Sequence, residues 1–582
     1  VNLRVYLQSP LGNRVLFFIF AAVIGGVVGL ATLGLIHLIL LVQLIGFGEA
    51  SEVRFSSIAQ ALPAWRVILV PTVGGLLVGL LMEWLPGKRY HGIADVMEAC
   101  ALNSARMSAR SGIGAAIAAA LSIGVGAPLG REGPAVHIGA SLSAWIAEKL
   151  GLDRRQSLAM LGCGAAAAVT VSFATPIAAV IFALEVIVGY YTLRVFAPIV
   201  IAAMVAVVVR DVFIGGEPLF YLPEYSLSSY WELLAFAVLG ILGAGVSWLV
   251  IQLVSLCQKG WAIINLPKWL RPAIAGCVIG MIAVELPLIL SVGTEAIALA
   301  LRGELALNLL LALLVFKILC VGLAIGSGFA GGVFSPALYI GALLGGGFWV
   351  LVSLLGLSTA DQGVYAVVGT AAVASAMLGA PISTILIVFE LTRNYDITLG
   401  IMTAAAFAST TMSLTGHGSF FRWQLAQRSV NIASGRDISL LMTHRIEHLL
   451  NQRYTTASPE STVGELESKM GAQRQRLVMI VDEEGVYHGS ATLQMVVAHA
   501  VEEGLDHPAT AAAFDAEFSA GASTNIVTAL QRMAEQQVEY LPVVDDADKD
   551  DPVLMGVVTK SDLLAEHYDV VKREREAEFG IT

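Results

Sequence analysis

Arg131 and Glu132 sit side by side in the run Gly130-Arg131-Glu132-Gly133-Pro134, with apolar stretches over 115–126 before it and 135–146 after it. Ionisable side chains at that depth are costly in lipid and ordinarily face a bundle interior or a wet path. The flanking glycines and Pro134 offer a way to meet that cost. They break one helix and start another, and proline suits the first helical turn. A helix beginning there leaves free backbone N–H groups and the positive end of its dipole beside Glu132. Such an end binds anions. A tethered carboxylate at an anion site competes with a mobile anion for the same donors, and that competition is a gate.

The surrounding elements are membrane helices. Of 582 residues, 57% are hydrophobic and 14% charged, where a soluble domain carries about 25% charged residues. The chain therefore reads as a polytopic α-helical membrane protein with a soluble part. Apolar runs of spanning or near-spanning length lie at about 15–45, 66–86, 111–128, 156–190, 195–213, 232–257, 272–292, 307–325, 336–356, 364–390 and 397–414. The first is too long for a signal-peptide core and reads as a retained helix, preceded by Arg4 and Arg14. The net charge of −11 excludes a nucleic-acid partner. Five cysteines, all in the apolar part, form no CxxC pair and read as small core residues. The ten histidines supply no H-E-x-x-H in an apolar helix, so a membrane metalloprotease is excluded and no metal ligand is assigned. Too few paired carboxylates remain for a magnesium transporter.

The chain repeats itself. Pro134-Ala-Val-His-Ile-Gly-Ala140 returns as Pro336-Ala-Leu-Tyr-Ile-Gly-Ala342, and the segment from Pro176 to Glu185 returns from Pro381 to Glu390, at offsets of 202 and 205. A duplication explains both in the same order. It places Gly332-Val333-Phe334-Ser335-Pro336 opposite the charged loop, with both broken helices aimed at a shared centre.

After about Trp423 the composition turns polar and acidic. β-like runs at 477–481, 541–544 and 554–558 alternate with helical patterns such as 462–470 and 525–536, and each half ends strand–Gly–x–x–Thr–helix, at Gly489–Thr492 and Gly556–Thr559. The expected division is a membrane domain over 1–425 (halves about 15–213 and 232–425), a linker over 426–438, a soluble domain over 439–570 in two halves (439–505 and 507–570), and a charged end over 571–582.

Glu132 within its GREGP run, the 332–336 loop and the inverted-looking halves resemble the CLC family of chloride channels and proton-coupled chloride exchangers. The tail resembles a pair of CBS motifs. The implied fold is an inverted internal repeat with broken re-entrant helices, followed by a soluble α/β tandem CBS domain. The resemblance further implies a homodimer in the cell (inner) membrane, with the CBS domain cytoplasmic and no required cofactor. Chloride and similar anions would be carried, and an adenine nucleotide such as ATP would be the tail's ligand. Position by position, it makes Glu132 the gate, with Arg131 and Gly133 beside it, and the amides around Val333 and Phe334 the central anion cradle. A buried Arg131–Glu132 pair is the alternative for the charges, and plain packing the alternative for Phe334.

The departures are informative. Exchangers of the family usually carry a second glutamate one residue after Glu185; here Val186 stands there, and valine relays no proton. This favours passive conduction, with a proton-coupled antiporter on the same scaffold as the rival. Glu185 is expected to brace helices through its repeat mate Glu390. The family's first chloride loop is matched by Tyr90-His91-Gly92-Ile93-Ala94, with His91 in place of a serine. Facing the pore, His91 would attract anions in acid; rotated away, it would bond to the backbone. The family's inner tyrosine falls at Phe421, which has no hydroxyl, or is an interfacial aromatic. In the tail, Thr559 and Asp562 fit a ribose and phosphate site, or else an N-cap with a first-turn acid. The matching Met495 cannot accept from ribose.

Overall fold

The computed structural model describes residues 10–84, 89–102, 105–189, 191–215, 220, 226–227, 229–356, 360–416, 418–428, 430, 444–473, 475–536, 538–545 and 552–579. Arg4, residues 431–438 of the expected linker and the last three residues of the charged end lie outside them. The chain divides into two compact units, Val1–Asn431 and Ile432–Thr582.

The first unit is helical. Its helices are α1 (Pro10–Phe47), α2 (Phe55–Gln60), α3 (Ala64–Trp84), α4 (Ile93–Ala101), α5 (Ala109–Gly124), α6 (Glu132–Lys149), α7 (Arg154–Phe173), α8 (Pro176–Phe182) and α9 (Leu193–Phe213). They continue with α10 (Glu232–Ile264), α11 (Arg271–Glu285), α12 (Thr294–Leu301), α13 (Leu307–Ser327), α14 (Phe334–Leu354), α15 (Gln362–Leu378), α16 (Pro381–Thr392), α17 (Thr398–Leu414) and α18 (Phe420–Ala426). Among the described residues, seven helices are long and apolar enough to cross a membrane.

Two of the apolar runs, among those that glycine and proline interrupt, are each two helices. The 156–190 run breaks at Ala174 (φ 59°) and the 364–390 run at Gly379 (φ 68°). In both, a left-handed residue ends the first helix and a proline opens the next, at Pro176 and Pro381. Proline bars its predecessor from helical geometry, so the break is written into the chain. The two breaks stand 205 residues apart, the offset of the repeat. The sequence runs also omitted α4, a nine-residue helix that proves central to the site.

The duplication is visible in the packing. α6 lies on α7 as α14 lies on α15, α9 on α7 as α17 on α15, and α8 meets α16. Close approach depends on paired glycines. A Cβ on Gly139 would lie 2.6 Å from the carbonyl oxygen of Gly164, and one on Gly341 would strike that of Gly369. Without a hydrophobic drive between helices in lipid, contacts of this kind supply the association energy. Gly341→Ala is therefore expected to force α14 from α15, destabilising the unit by roughly 1–3 kcal/mol. Thermal aggregation of the detergent-solubilised variant, measured against wild type, checks this.

The second unit holds β1 (Thr455–Ala457), α19 (Val463–Gln473), β2 (Leu477–Val481), β3 (Tyr487–Thr492), α20 (Leu493–Glu502), β4 (Phe514–Asp515), β5 (Ala520–Gly521), α21 (Ile526–Glu535), β6 (Tyr540–Val544), β7 (Leu554–Thr559) and α22 (Lys560–Phe579). Its sheets have the orders β1-β2-β3-β4 and β5-β6-β7. Leu477, Met479 and Tyr487 of the first half pack on Tyr540, Val544 and Val557 of the second. Burial pushes the Tyr540 phenol up to about 12.

Candidate functional site

The loops before α6 and α14 are joined to each other. Gly130 N–H donates to the Gly332 carbonyl (2.8 Å), and Gly332 N–H donates back to that of Gly130 (2.7 Å). The bridge places the two helix starts side by side. It also requires small residues: a Cβ on Gly332 would lie 3.1 Å from Gly133 N, and one on Gly130 would strike Glu132 Oε2.

Glu132 opens α6 but does not cap it. Its carboxylate crosses to the start of α14, where Oε1 accepts from Ser335 Oγ and Oε2 from Ser335 N–H at 3.4 Å. The side chain is 2% exposed. A carboxylate with buried donors and a helix dipole facing it occupies the position of a bound anion at that end. Ser335 was not assigned from sequence. The 202-residue offset sets it opposite Gly133, within reach of the neighbouring glutamate, and that was the available signal.

Arg131 is committed elsewhere. Its guanidinium pairs with Glu52 and donates to the Ser172 carbonyl at 3.4 Å. The two adjacent charges thus go to different partners, and the Arg131 head group is an anchor for the loop rather than an open anion donor. Phe334 is a packing residue by its ring, which stands 4.8 Å from that of Phe173 and 5.8 Å from that of Phe182. Any service to an anion falls to the backbone of Val333 and Phe334, at the head of α14.

The Tyr90–Ala94 segment departs from its reading. His91 turns to Asp95, with Nδ1 3.1 Å from Oδ1, and its ring stacks on His137 at 5.7 Å. Asp95 also accepts from Gly92 N–H (2.8 Å) and from Arg428 (3.0 Å), and pairs with Arg89 (2.7 Å). The Gly92 amide is thereby used inside its own helix start. Ile93 is buried at the first position of α4. The cause is local. A carboxylate three residues into α4 reaches back to the N–H of the N-cap Gly92, and two arginines hold it there.

The side chain directed to the centre is Tyr90. A Cβ on Gly133 would lie 3.4 Å from Tyr90 Oη, and one on Gly92 would lie 3.5 Å from it. The hydroxyl therefore sits where the starts of α4 and α6 converge. It is buried and has no hydrogen-bond partner among the described residues. A phenol hydroxyl usually finds a partner when buried, so an orphaned one marks a place for a ligand or water. A cavity of about 340 Å³ reaches Tyr90 and Gly331, and its lining includes Lys268 and Arg271 against the carboxylate of Glu83, together with Arg89 and Arg428, which are paired with Asp95. Such a wall concentrates anions.

Phe421 does not line this cavity. The face of α18 toward it carries Phe420, Trp423, Gln424 and Gln427. Phe421 lies one residue further round the helix, 4% exposed, with its ring 6.3 Å from that of Phe420. Of that pair, Phe420, the residue before it, is the ring that reaches the cavity.

Val186 is buried within a π-helical turn over Ala183–Val188. Glu185 beside it accepts from the N–H groups of Ile382 (3.1 Å) and Ser383 (2.8 Å), at the start of α16. Glu390 does the same for Ile177 (3.2 Å) and Ala178 (2.7 Å), at the start of α8. Each repeat caps its mate's helix crosswise, where the expected bracing involved the two glutamates themselves.

In the second unit, Asp562 Oδ2 accepts from Thr559 N–H (3.1 Å), Thr559 Oγ1 (2.6 Å) and Asn451 Nδ2 (2.8 Å). Thr559 and Asp562 thus cap α22 together, which is the local alternative to a ribose and phosphate site. Thr492 caps α20 in the same way, accepting from Met495 N–H at 3.3 Å.

The chain matches the voltage gated chloride channel family over residues 74–413 and the CBS domain over residues 516–569. A ClcB-like chloride channel protein of Ralstonia nicotianae is 32% identical over 378 residues, covering 63% of this chain and 87% of that protein. The voltage-gated ClC-type chloride channel ClcB of Escherichia coli O157:H7 is 27% identical over 427 residues, covering 71% and 99%. In fold, the chain is similar to a slow cyanobacterial Cl−/H+ antiporter, with a TM-score of 0.61 at 20% identity, covering 71% of this chain and 97% of that one.

Proposed function

This chain belongs to the voltage gated chloride channel family, and on that premise we propose that it conducts chloride-class anions passively, through a path closed by Glu132. The observation that carries the proposal is the Glu132 carboxylate lying on the Ser335 donors at the start of α14. While it stays there, an anion finds those donors taken. Protonation or displacement of the side chain frees them, so acid favours the open state.

The second donor of the path is Tyr90. Serine and tyrosine are both missing from their usual places, at His91 and Phe421, and neither ring presents a hydroxyl to the centre. Tyr90 Oη, buried and without a partner among the described residues, replaces them, between the Glu132 loop and the cavity. Asp95 positions it by holding the segment that follows against Arg89 and Arg428. Gly133, Val333 and the Phe334 backbone complete the cradle; Arg131 contributes by fixing the loop through Glu52.

Passive conduction is preferred to proton exchange because Val186 occupies the position after Glu185, and Glu185 itself is spent on capping α16. The rival has a specific support, since the cyanobacterial protein of similar fold is a Cl−/H+ antiporter. Simultaneous chloride and proton flux from liposomes separates the two. Chloride efflux without stoichiometric proton movement supports the channel; uphill proton movement driven by a chloride gradient rejects it.

We place the path once per subunit of a homodimer, in the cell membrane with the tail cytoplasmic. In the tail, an adenine nucleotide at Asp562 would share the carboxylate with Thr559 and Asn451, which both bond to Oδ2.

A further inference from the structure

The first half of the tail brings three ligand-type side chains together, although no metal ligand is expected from the sequence. His499 lies near the end of α20, and Glu503 follows it at the C-cap, one turn on. The chain then reverses at Gly504, whose φ of +108° is in the left-handed region that favours glycine. The reversal carries His507 back over His499, with ring centroids 5.5 Å apart. Glu503 Oε2 stands 3.6 Å from His499 Nε2 and 3.6 Å from His507 Nδ1, and all the ligand atoms lie within 4.8 Å of one another.

The backbone is built to hold this shape. Val463 N–H donates to the His507 carbonyl (2.9 Å), Gly464 N–H to that of Leu505 (3.0 Å), and Ala509 N–H to that of Ser461 (2.7 Å). Beneath it, Val463, Val496 and Ala509 are in the core of that half. The returning loop is therefore fixed to the start of α19 rather than free. His499 Nε2 is buried without a hydrogen-bond partner among the described residues and faces the Glu503 carboxylate from beyond hydrogen-bond range. A buried imidazole nitrogen left unpaired calls for a ligand.

We propose that His499, Glu503 and His507 bind a zinc-class divalent cation. Two imidazoles and a carboxylate suit zinc and its neighbours, and disfavour magnesium and calcium, which take oxygen ligands. Ligand–metal bonds of about 2.0–2.1 Å in a tetrahedron set ligand atoms roughly 3.3 Å apart. The two 3.6 Å separations from Glu503 need only a small contraction to reach that value, and the two imidazoles, within 4.8 Å of each other, close on the ion by side-chain rotation. Three protein ligands leave the fourth position to water. The bound ion joins α20 to the loop that follows it, and so stiffens the first half of the tail.

The test uses the full-length protein in detergent, freed of metal and titrated with zinc alone, with bound metal read by mass spectrometry after dialysis and unfolding followed by circular dichroism. The expected result is about one zinc per chain and a zinc-dependent rise in the tail's unfolding temperature. H507Q, at a half-exposed loop position, and H499A are each expected to weaken binding at least ~10-fold and to abolish that rise. H488A, which removes a histidine paired with Asp482 outside the cluster, is expected to bind as wild type does. Unchanged stoichiometry and affinity in both H499A and H507Q overturn the proposal. So does magnesium binding that matches zinc, or the absence of zinc binding by a wild-type protein whose spectrum shows a folded tail.

Discussion

Glu132→Gln releases the α14 start and raises anion flux at neutral pH. The glutamine keeps the size of the side chain and can still accept from Ser335, but it brings no charge to compete with an anion. A hydrogen bond to a charged group is worth ~1.5–3 kcal/mol. Losing that advantage shifts the balance between tethered and mobile ligand by roughly 10- to 100-fold, since about 1.4 kcal/mol is tenfold. Wild-type flux is expected to climb as the pH falls, because protonation removes the same charge, whereas the variant is expected to be high and flat. Chloride efflux from liposomes across a pH series gives both readings. The substitution disturbs little else: Arg131 keeps its bonds to Glu52 and Ser172, and the Gly130–Gly332 bridge is backbone.

Tyr90→Phe is the second large effect. It deletes one oxygen that has no partner among the described residues. A purely structural Tyr90 would therefore lose nothing by the change, and stability would stay level or rise slightly. If the hydroxyl donates to the passing anion, the loss is about 1.5–3 kcal/mol of binding, or roughly tenfold or more in anion affinity. Chloride titration calorimetry on the purified variant separates the outcomes. Weaker binding with unchanged thermal stability is the expected pair. A Phe421 variant, by contrast, is expected to alter stability rather than chloride affinity, because that ring is buried beside Phe420.

Much of this architecture was legible in the residues. The offsets of 202 and 205 gave the duplication, and the glycines and Pro134 gave the break beside Glu132. What failed to show was direction. A hydropathy run does not reveal a left-handed residue inside it: Pro176 and Pro381 mark the restarts, but the turns at Ala174 and Gly379 show only in the fold. A motif gives positions but not rotamers. His91 was weighed for the pore because it replaced a serine, yet Asp95 four residues on draws the imidazole to itself and leaves Tyr90 at the centre. Phe421 is buried beside Phe420, and only the fold shows that the neighbouring ring is the one at the cavity. Ser335 and the crosswise caps of Glu185 and Glu390 join residues about 200 positions apart, and only the folded repeat brings them together.

The most direct measurement is a crystal structure in bromide, with anomalous scattering to locate the ion, for wild type and for Glu132→Gln. A bromide peak is expected in the variant at the start of α14, beside Ser335 and within reach of Tyr90 Oη, in the space the carboxylate fills in wild type. Bromide at that place in wild type with Glu132 still bonded to Ser335, or no bromide there once the carboxylate is gone, would contradict it.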